Sequence, residues 1–198
     1  MIFECLKLNI PVEEDHFNSI YPEWIGPMAQ QHFTPVEVAK LAAAYLVDKP
    51  GTRVLDIGSG SGKFCMIGAS CTSGHFTGIE QRSNLVALSL KLSRHYKVNR
   101  VDFICANITT MDMSRYDAFY FFNSFQEQID DSARIDEQVH TDRTLYTLYH
   151  DYMYDQLSRA PVGTRLATYW GITDKIPPCY TLEATECQGL LKLWKKIS

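Results

Sequence analysis

The fold of this chain is decided by residues 54–62, which read Val54-Leu55-Asp56-Ile57-Gly58-Ser59-Gly60-Ser61-Gly62. The apolar run before the glycines predicts a strand, and the sequence after them predicts a helix. Glycines allow a sharp turn and the close approach of a ligand to the backbone. In an open parallel sheet, ligands bind beside such a turn, at the carboxyl end of the strand. The stretch therefore predicts an α/β fold with a ligand site at this turn.

Strands and helices alternate along the rest of the chain. Strands are predicted over residues 53–57, 75–79, 101–105, 117–122 and 165–170, with a terminal hairpin formed by 180–186 and 190–196 around Gly189. Residues 118–122 are apolar on both faces, which is typical of a central strand covered by helices on both sides. We predict a doubly wound, mostly parallel seven-stranded sheet with an antiparallel C-terminal hairpin strand and helices on both faces.

Three helices carry more detailed predictions. One begins at Thr34, with Thr34 as the cap, Pro35 in the first helical position and Glu37 completing a capping box. Each of the three helices is expected to pack an apolar stripe against the core. The stripe of the first helix is formed by Val38, Leu41, Ala42, Tyr45 and Leu46, and that of the second by Leu85, Leu88, Leu92 and Tyr96. The stripe of the third is formed by Leu145, Leu148, Tyr149, Tyr152, Met153 and Leu157.

The chain ahead of Thr34 differs in character. Residues 1–33 are rich in aromatic side chains and are divided by three prolines, so they predict an N-terminal arm packed on a single domain over 34–198. The aromatic residues nearest the domain lead to the hypothesis that this arm is a lid over the ligand. Simple packing against the sheet is the competing interpretation.

Composition narrows the possible functions. The 198 residues carry a net charge of −4 with scattered Lys and Arg, which argues against a nucleic-acid partner. No stretch resembles a signal peptide or a membrane span, and a cytoplasmic location without membrane contact is expected. The histidines and cysteines have no metal-ligand spacing, so no metal site is predicted. Cys65, Cys71 and Cys105 lie in apolar patterns and are expected to be reduced and buried in the core.

Three kinds of glycine-rich turn compete for residues 56–64. A P-loop requires glycine where Ile57 stands and a hydroxyl residue where Phe64 stands, so it is rejected. A dinucleotide turn requires glycine at Lys63, which leaves an NAD-dependent oxidoreductase as a weaker alternative. The pattern D-x-G-x-G-x-G is matched in full from Asp56. A carboxylate here suits a cationic ligand better than a pyrophosphate.

This pattern resembles the first motif of the class I, seven-strand S-adenosylmethionine-dependent methyltransferases. Further resemblance extends from Thr52 to about Phe125, through Gly78-Ile79-Glu80, Cys105-Ala106-Asn107-Ile108 and residues 117–125. The resemblance implies that Asp56 and the backbone at Gly58 and Gly60 hold the amino-acid end of the cofactor. Glu80 would bind the ribose hydroxyls, and Gln81, Asn107 and Ile108 would surround the adenine. The other predicted cofactor contacts are Phe33, Thr34, Ser59, Gly62 and Asn123.

The acceptor side is predicted at Asn123-Ser124-Phe125, directly after the fourth strand. Amino-group methyltransferases often carry Asn/Asp-Pro-Pro-Tyr/Phe at this position, and the triplet lacks the prolines; it is also similar in part to seven-strand protein-lysine methyltransferases. These three residues are the predicted catalytic group, although Asn123 is equally expected as a helix cap and Asn107 as a turn-former. Glu127, slightly downstream, is expected to be unimportant for cofactor binding.

The function expected from the sequence is S-adenosylmethionine-dependent methyl transfer, with S-adenosylhomocysteine as the product. The acceptor would be a nitrogen of a protein side chain or of a small molecule. The alternative is an S-adenosylmethionine-binding protein without turnover, acting as a regulatory or partner subunit. The sequence does not indicate an oligomeric state.

Overall fold

A computed structural model describes residues 1–130, 135–136, 139, 141–170 and 175–198, without the side chains of Gln30 and Gln31. It contains a seven-stranded sheet in the order β3-β2-β1-β4-β5-β7-β6. The strands are β1 (Arg53–Ile57), β2 (His75–Glu80), β3 (Val101–Cys105), β4 (Ala118–Phe122), β5 (Arg165–Tyr169), β6 (Tyr180–Glu186) and β7 (Leu191–Lys196). The predicted fold class is confirmed: β1 to β5 run parallel, and β7 lies antiparallel between β5 and β6.

The helices are α1 (Ile2–Lys7), α2 (Glu14–Asn18), α3 (Gly26–His32), α4 (Val36–Leu46), α5 (Lys63–Cys71), α6 (Ser83–His95) and α7 (Arg143–Arg159). Alternate strand residues face two hydrophobic clusters. Val54 and Tyr120 belong to the cluster that includes α1, α4, α5 and α6, whereas Leu55 and Phe121 belong to the cluster that includes α7. The sheet is thus covered on both faces. Every helix in the described ranges is too short or too polar to cross a lipid bilayer.

The N-terminal arm is bound tightly to the domain. Phe17 and Ile25 are completely buried in the first cluster. Glu14 of α2 accepts a hydrogen bond from the Lys63 ammonium, which is 3% exposed, and Lys63 also donates to Asn18 at 2.9 Å. The other Glu14 oxygen accepts from the backbone nitrogen of Val36 at 2.8 Å. The arm therefore joins the first residue of α5 to the first residue of α4.

This contact corrects the predicted helix start. Thr34 does not cap α4, because its hydroxyl is 2.9 Å from the Tyr120 hydroxyl in the interior, and the free amide is bound by Glu14 instead. Glu37 does not complete a capping box either, since it pairs with Lys40 at 3.0 Å. A partner from another helix has replaced the local cap that the sequence pattern predicts.

Three predictions of burial were wrong. Leu41 and Leu148 belong to the predicted apolar stripes, yet they are 42% and 52% exposed. The neighbouring residues Ala42 and Tyr149 are buried on these helices instead. Cys105 ends β3 at the edge of the sheet and is exposed, whereas Cys65 is buried and Cys71 half-buried. All six cysteines are free.

Candidate active site

A cavity of about 840 Å³ lies at the carboxyl ends of β1, β2, β4 and β5. All but one of the predicted site residues line it: Phe33, Thr34, Asp56, Gly58, Ser59, Gly60, Glu80, Gln81, Asn107, Ile108, Asn123, Ser124 and Phe125. Gly62 is not in the wall. It begins α5 with φ +79°, and a Cβ there would approach the Phe103 ring to 2.5 Å. Its role is therefore to form the turn and to permit packing against β3.

The glycine-rich turn is held open by hydrogen bonds to the neighbouring strand. The backbone nitrogens of Gly58 and Ser59 both donate to the Ile79 carbonyl at 2.9 Å. Gly58 has φ +74°, and a Cβ there would lie 2.4 Å from the Ser124 Cβ. Gly60 also has a positive φ, but a Cβ there would meet only open space. The first glycine of the turn thus packs against Ser124, just after β4, and the second presents bare backbone to the cavity.

Asp56 is a buried carboxylate in the cavity wall. Within the described part of the chain it accepts one hydrogen bond, from the Cys65 thiol at 3.3 Å. Burial raises the pKa of Asp56 to about 7, and the negative charge of Glu80 adds to the shift. A buried carboxylate is stabilised by a positive ligand. The site therefore favours a cation at this position.

Glu80 ends β2 and is also buried. One of its oxygens accepts from the Gly60 nitrogen at 3.2 Å, and the other accepts from the Arg82 nitrogen at 2.9 Å. Burial raises the pKa of Glu80, while the hydrogen bond from Arg82 and the charge of its guanidinium oppose that rise. Each oxygen accepts one hydrogen bond here and retains lone pairs for further donors. The carboxylate can therefore accept from a vicinal pair of hydroxyl groups.

Arg82 is the centre of a buried ion network that the sequence did not reveal. Its guanidinium donates to both oxygens of Glu127, at 3.1 and 2.5 Å, and to Asp136 at 3.0 Å. It also lies 3.7 Å from Glu80. Glu127, which the sequence predicts to be unimportant for cofactor binding, thus lies in the cavity wall and holds the cation beside Glu80.

Asn107 and Ile108 lie at the β3 end of the cavity. The Asn107 oxygen accepts from the backbone nitrogen and hydroxyl of Thr109, at 3.0 and 2.9 Å, as a turn-former does. Its amide nitrogen donates to the Tyr149 hydroxyl at 2.8 Å. Asn107 is therefore fixed by its own turn and by α7, and it can offer its second amide hydrogen to a ligand.

The three residues after β4, Asn123-Ser124-Phe125, have three different structural roles. Asn123 lines the cavity with φ +44°, and it caps no helix, because the following 3₁₀ turn begins after Phe125 without a side-chain cap. The Ser124 hydroxyl donates to the carbonyls of Ile57 and Phe122, at 2.5 and 3.2 Å, so it joins β1 to β4 instead of facing an acceptor. Phe125 is buried against Tyr149 and His150, which makes it mainly a core residue.

Tyr120 and Trp170 are two of the wall residues that the sequence did not identify. Tyr120 lines the cavity, shares a hydrogen bond with Thr34, and stacks on Phe64 with ring centroids 3.8 Å apart. Trp170 lines it from the end of β5. Tyr120 belongs to a strand that is apolar on both faces, and Trp170 is the last residue of a predicted strand. Neither pattern distinguishes a cavity residue from a core residue.

The donors and acceptors of this cavity fit S-adenosylmethionine. The Ser59 hydroxyl is buried and has no hydrogen-bond partner among the described residues, which leaves it for a polar ligand beside the open backbone of Gly60. Asp56 suits an ammonium group and Glu80 suits the ribose hydroxyls. A pyrophosphate would meet both carboxylates, while Lys63, the basic residue at the turn, is already bound by Glu14 and Asn18. The dinucleotide alternative therefore fits poorly.

No metal centre accompanies this site in the described part of the chain, where no group of three His, Cys, Asp or Glu side chains converges. The fold and the cavity together define a seven-strand S-adenosylmethionine-binding domain. Residues 48–154, just over half of the chain, match the methyltransferase domain family, and the chain belongs to that family. Its cofactor is S-adenosylmethionine. A search of curated protein sequences finds no significant match.

Solved structures share the fold at low sequence identity. An RNA methyltransferase from Salinibacter ruber in complex with S-adenosyl-L-homocysteine is 16% identical with a TM-score of 0.60, covering 83% of this chain and 93% of its own. TrmN from Thermus thermophilus is 18% identical with a TM-score of 0.60, covering 83% and 49%. The cyclase SpnF is 21% identical with a TM-score of 0.53, covering 67% and 43%. This chain thus spans less than half the length of the last two.

Proposed function

We propose that this chain transfers a methyl group from S-adenosylmethionine to the nitrogen of an amine, on a protein side chain or a small molecule. The charge of the cavity carries the proposal. Its described wall contains the carboxylates Asp56, Glu80, Glu127 and Asp130 and two basic side chains, Lys63 and Arg82. Both basic side chains are paired with carboxylates. Such a wall attracts a cation, which is the form in which an aliphatic amine arrives at neutral pH. The ammonium must lose a proton to water before its nitrogen, with a free lone pair, can accept the methyl group.

The same charge argues against a polyanionic acceptor. One of the structural neighbours is named an RNA methyltransferase, and at 16% identity its likeness to this chain extends to the fold alone. A nucleic-acid substrate gains most of its affinity from Lys and Arg contacts to phosphate. This chain has a net charge of −4, and the basic residues of its cavity are occupied by Glu14, Glu127 and Asp136. The wall therefore offers phosphate no unpaired cation among the described residues.

The residues of this chain chiefly bind and orient. Bound S-adenosylmethionine supplies a methyl group on a good leaving group, a sulfonium. Asp56 holds a positive group, Glu80 holds hydroxyls, and Ser124 fixes the β4 turn against β1 so that Asn123 faces the cavity. Alignment of two reactants in this way lowers the barrier by removing the entropy cost of their encounter. The Asn123 carbamoyl oxygen is an acceptor for an amine hydrogen.

The first experiment decides the cofactor. Calorimetric titration should show binding of S-adenosylmethionine and S-adenosylhomocysteine but not of NAD. Glu80→Gln should weaken S-adenosylhomocysteine binding at least tenfold, because the hydrogen bonds of a charged acceptor are worth about 1.5–3 kcal/mol. Glu186→Gln, an exposed glutamate on β6, is the matched control and should bind normally. Folded protein that binds neither adenosyl compound would refute the proposal.

The second experiment decides the acceptor. The protein is incubated with S-adenosylmethionine labelled in the methyl group and with lysine-rich peptide, a polyamine or unmodified tRNA transcript. Label in an amine supports the proposal, and label in the transcript alone overturns it. Asn123→Ala should reduce amine labelling while S-adenosylhomocysteine affinity stays within a few fold. Normal turnover in this variant would remove Asn123 from the acceptor site.

A second candidate function is binding of S-adenosylmethionine without methyl transfer. The fold of SpnF, a cyclase by its name, shows that this architecture also carries other chemistry. The departure of Asn123-Ser124-Phe125 from the amino-methyltransferase motif, with the Ser124 hydroxyl bound to two carbonyls, favours this alternative. It predicts tight cofactor binding with no formation of S-adenosylhomocysteine for any acceptor in the panel above.

A further inference from the structure

Two neighbouring strands end in the same unusual conformation beside the cavity. Asn123 follows β4 with φ +44°, and Trp170 follows β5 with φ +47°. The residues just before them, Phe122 and Tyr169, are partners in the β4–β5 register. Both Asn123 and Trp170 line the cavity. A left-handed backbone is uncommon for any side chain and a clear outlier for a bulky one, and such residues cluster at functional sites.

Trp170 is held in this conformation while its side chain stays accessible. Its backbone nitrogen donates to the Leu190 carbonyl at 3.0 Å, which fixes the turn against the segment before β7. The residue is nevertheless 58% exposed. An indole that is not covered by its own fold, at the rim of a cavity, is a surface for a ligand.

Two further rings complete an aromatic wall. Phe122 and Phe33 line the cavity, are half-buried, and pack against the same hydrophobic cluster on the arm side of the sheet. Phe122 makes a T-shaped contact with Tyr169 at 4.9 Å between centroids, and Phe33 makes one with Tyr21 at 5.1 Å. These contacts hold the two rings in place and leave part of each facing the cavity.

Two rings of the aromatic wall, Phe122 and Trp170, lie away from the adenosine end. Glu80 ends β2 and Asn107 follows β3, whereas Phe122 ends β4 and Trp170 follows β5, on the other side of β1 in the sheet. The glycine-rich turn after β1 lies between them. A ligand bound to Glu80 and Asp56 therefore extends toward the aromatic wall, where a second reactant has room to enter.

We propose that Phe33, Phe122, Trp170 and Asn123 form an acceptor subsite for an alkylammonium group, with the three rings facing the cation and the Asn123 carbonyl accepting its hydrogens. This subsite deepens the amine specificity proposed above and rests on it. Aromatic faces attract cations through their quadrupole, and Trp does so most strongly. The subsite selects a charged amine over a neutral molecule of similar size.

The surrounding charges agree with this occupant. His32, in the wall beside Phe33, has a pKa lowered by burial, so its imidazole is neutral and does not repel a cation. Glu127 and Arg82 are the charged groups that act on His32, and they are bound to each other. Lys63 is paired with Glu14. The described wall therefore has no unpaired cation that would compete with an alkylammonium ligand.

The test uses full-length protein whose binding of S-adenosylhomocysteine has first been measured, so that failure of cofactor binding is recognised separately. The loaded protein is titrated with tetramethylammonium chloride, with tert-butanol as a neutral molecule of similar size and with sodium chloride for ionic strength. The readout is the chemical shift of the tryptophan indole N–H groups. The ammonium ion should shift the Trp170 signal and bind at least fivefold more tightly than the alcohol.

Variants test whether ammonium binding depends on the Trp170 ring or on the protein surface in general. Trp170→Ala should weaken ammonium binding about fivefold or more, and Trp170→Phe should recover part of it, because a ring is restored. Trp24→Ala, at a half-exposed tryptophan outside the cavity wall, is the matched control and should bind normally. Equal affinity for ammonium and alcohol, or an unchanged Trp170→Ala variant that still binds S-adenosylhomocysteine, would overturn the subsite and leave the cofactor assignment intact.

Discussion

The Arg82 guanidinium donates to both carboxylate oxygens of Glu127, and the side chains of the pair are 2% and 5% exposed. The pair joins the end of β2 to the 3₁₀ turn after β4, and it lies beside Glu80 in the cavity wall. A buried ion pair contributes little net stability compared with apolar packing, but removal of one partner is costly because the other charge is left buried. The end of β2 and the turn after β4 therefore share one charged group.

We predict that Glu127→Gln lowers the free energy of unfolding by about 3 kcal/mol. S-adenosylhomocysteine affinity should fall about tenfold, because the guanidinium, 3.7 Å from Glu80, then pairs more closely with that carboxylate and competes for its oxygens. Urea denaturation and calorimetry measure the two effects.

The matched control is Asp117→Asn, which breaks the exposed fork between Asp117 and Arg53. Its cost should stay below about 1 kcal/mol, since exposed ion pairs are worth little, and ligand affinity should be unchanged. Similar ligand affinities in Glu127→Gln and wild type would show that the buried pair is structural only.

Asp56 should make the stability of the ligand-free protein depend on pH. Its pKa is about 7 in the folded state and near 3.8 when exposed, so the folded state retains a proton that the unfolded state has released. Stability should then fall as the pH rises from about 4 to about 7, by up to about 4 kcal/mol, and change little above that range.

Asp56→Asn should remove this part of the pH dependence and be more stable than wild type at pH 8. Comparison of the two proteins by denaturation at pH 5 and pH 8 isolates the contribution of Asp56 from that of Glu80, whose pKa is also raised. Identical slopes in the two proteins would mean that Asp56 is ionised throughout, stabilised by groups other than Cys65.

Removal of the Glu14 side chain should destabilise the fold far more than removal of the neighbouring Glu13 side chain. Glu14→Ala removes the partner of the buried Lys63 ammonium and the acceptor for the Val36 nitrogen, so a loss of about 3 kcal/mol is expected. Glu13→Ala, at an exposed residue whose side chain makes no capping hydrogen bond to α2, should change stability by less than about 0.5 kcal/mol. Thermal unfolding measures both, and equal losses would contradict the bridging role of Glu14.

A side chain at Gly60 should have little effect on stability but should strongly weaken ligand binding. Gly60→Ala places a methyl group in open space, with a cost of about 1 kcal/mol for the positive φ. Its S-adenosylhomocysteine affinity should fall at least tenfold, since the backbone there faces the cavity. Gly163→Ala has the same kind of backbone strain and open surroundings outside the cavity wall, so it should lose stability alone. Equal affinities in the two variants would remove Gly60 from the binding surface.

The sequence by itself determined the sheet and most of the cofactor cradle. Strand and helix periodicities, the apolar run of β4 and the glycine spacing after Asp56 are local patterns, and local backbone preference and burial are sufficient to interpret them. Glu80 follows from its place at the end of the next strand, because parallel strands bring their carboxyl ends to one edge. These features depend on neighbours in the chain or on a regular topology.

Only the tertiary structure decided which side chains meet. Glu14 replaces Thr34 as the cap of α4, and Arg82 pairs with Glu127. These contacts join residues 22 and 45 positions apart, and sequence spacing contains no information on such pairs. Trp170 turns toward the cavity because its backbone is bound to Leu190 in a left-handed conformation, where the strand pattern predicted a continued alternation. Local sequence patterns therefore predict the glycine-rich turn and Glu80. The charged network and the aromatic wall arise from packing between distant segments of the chain.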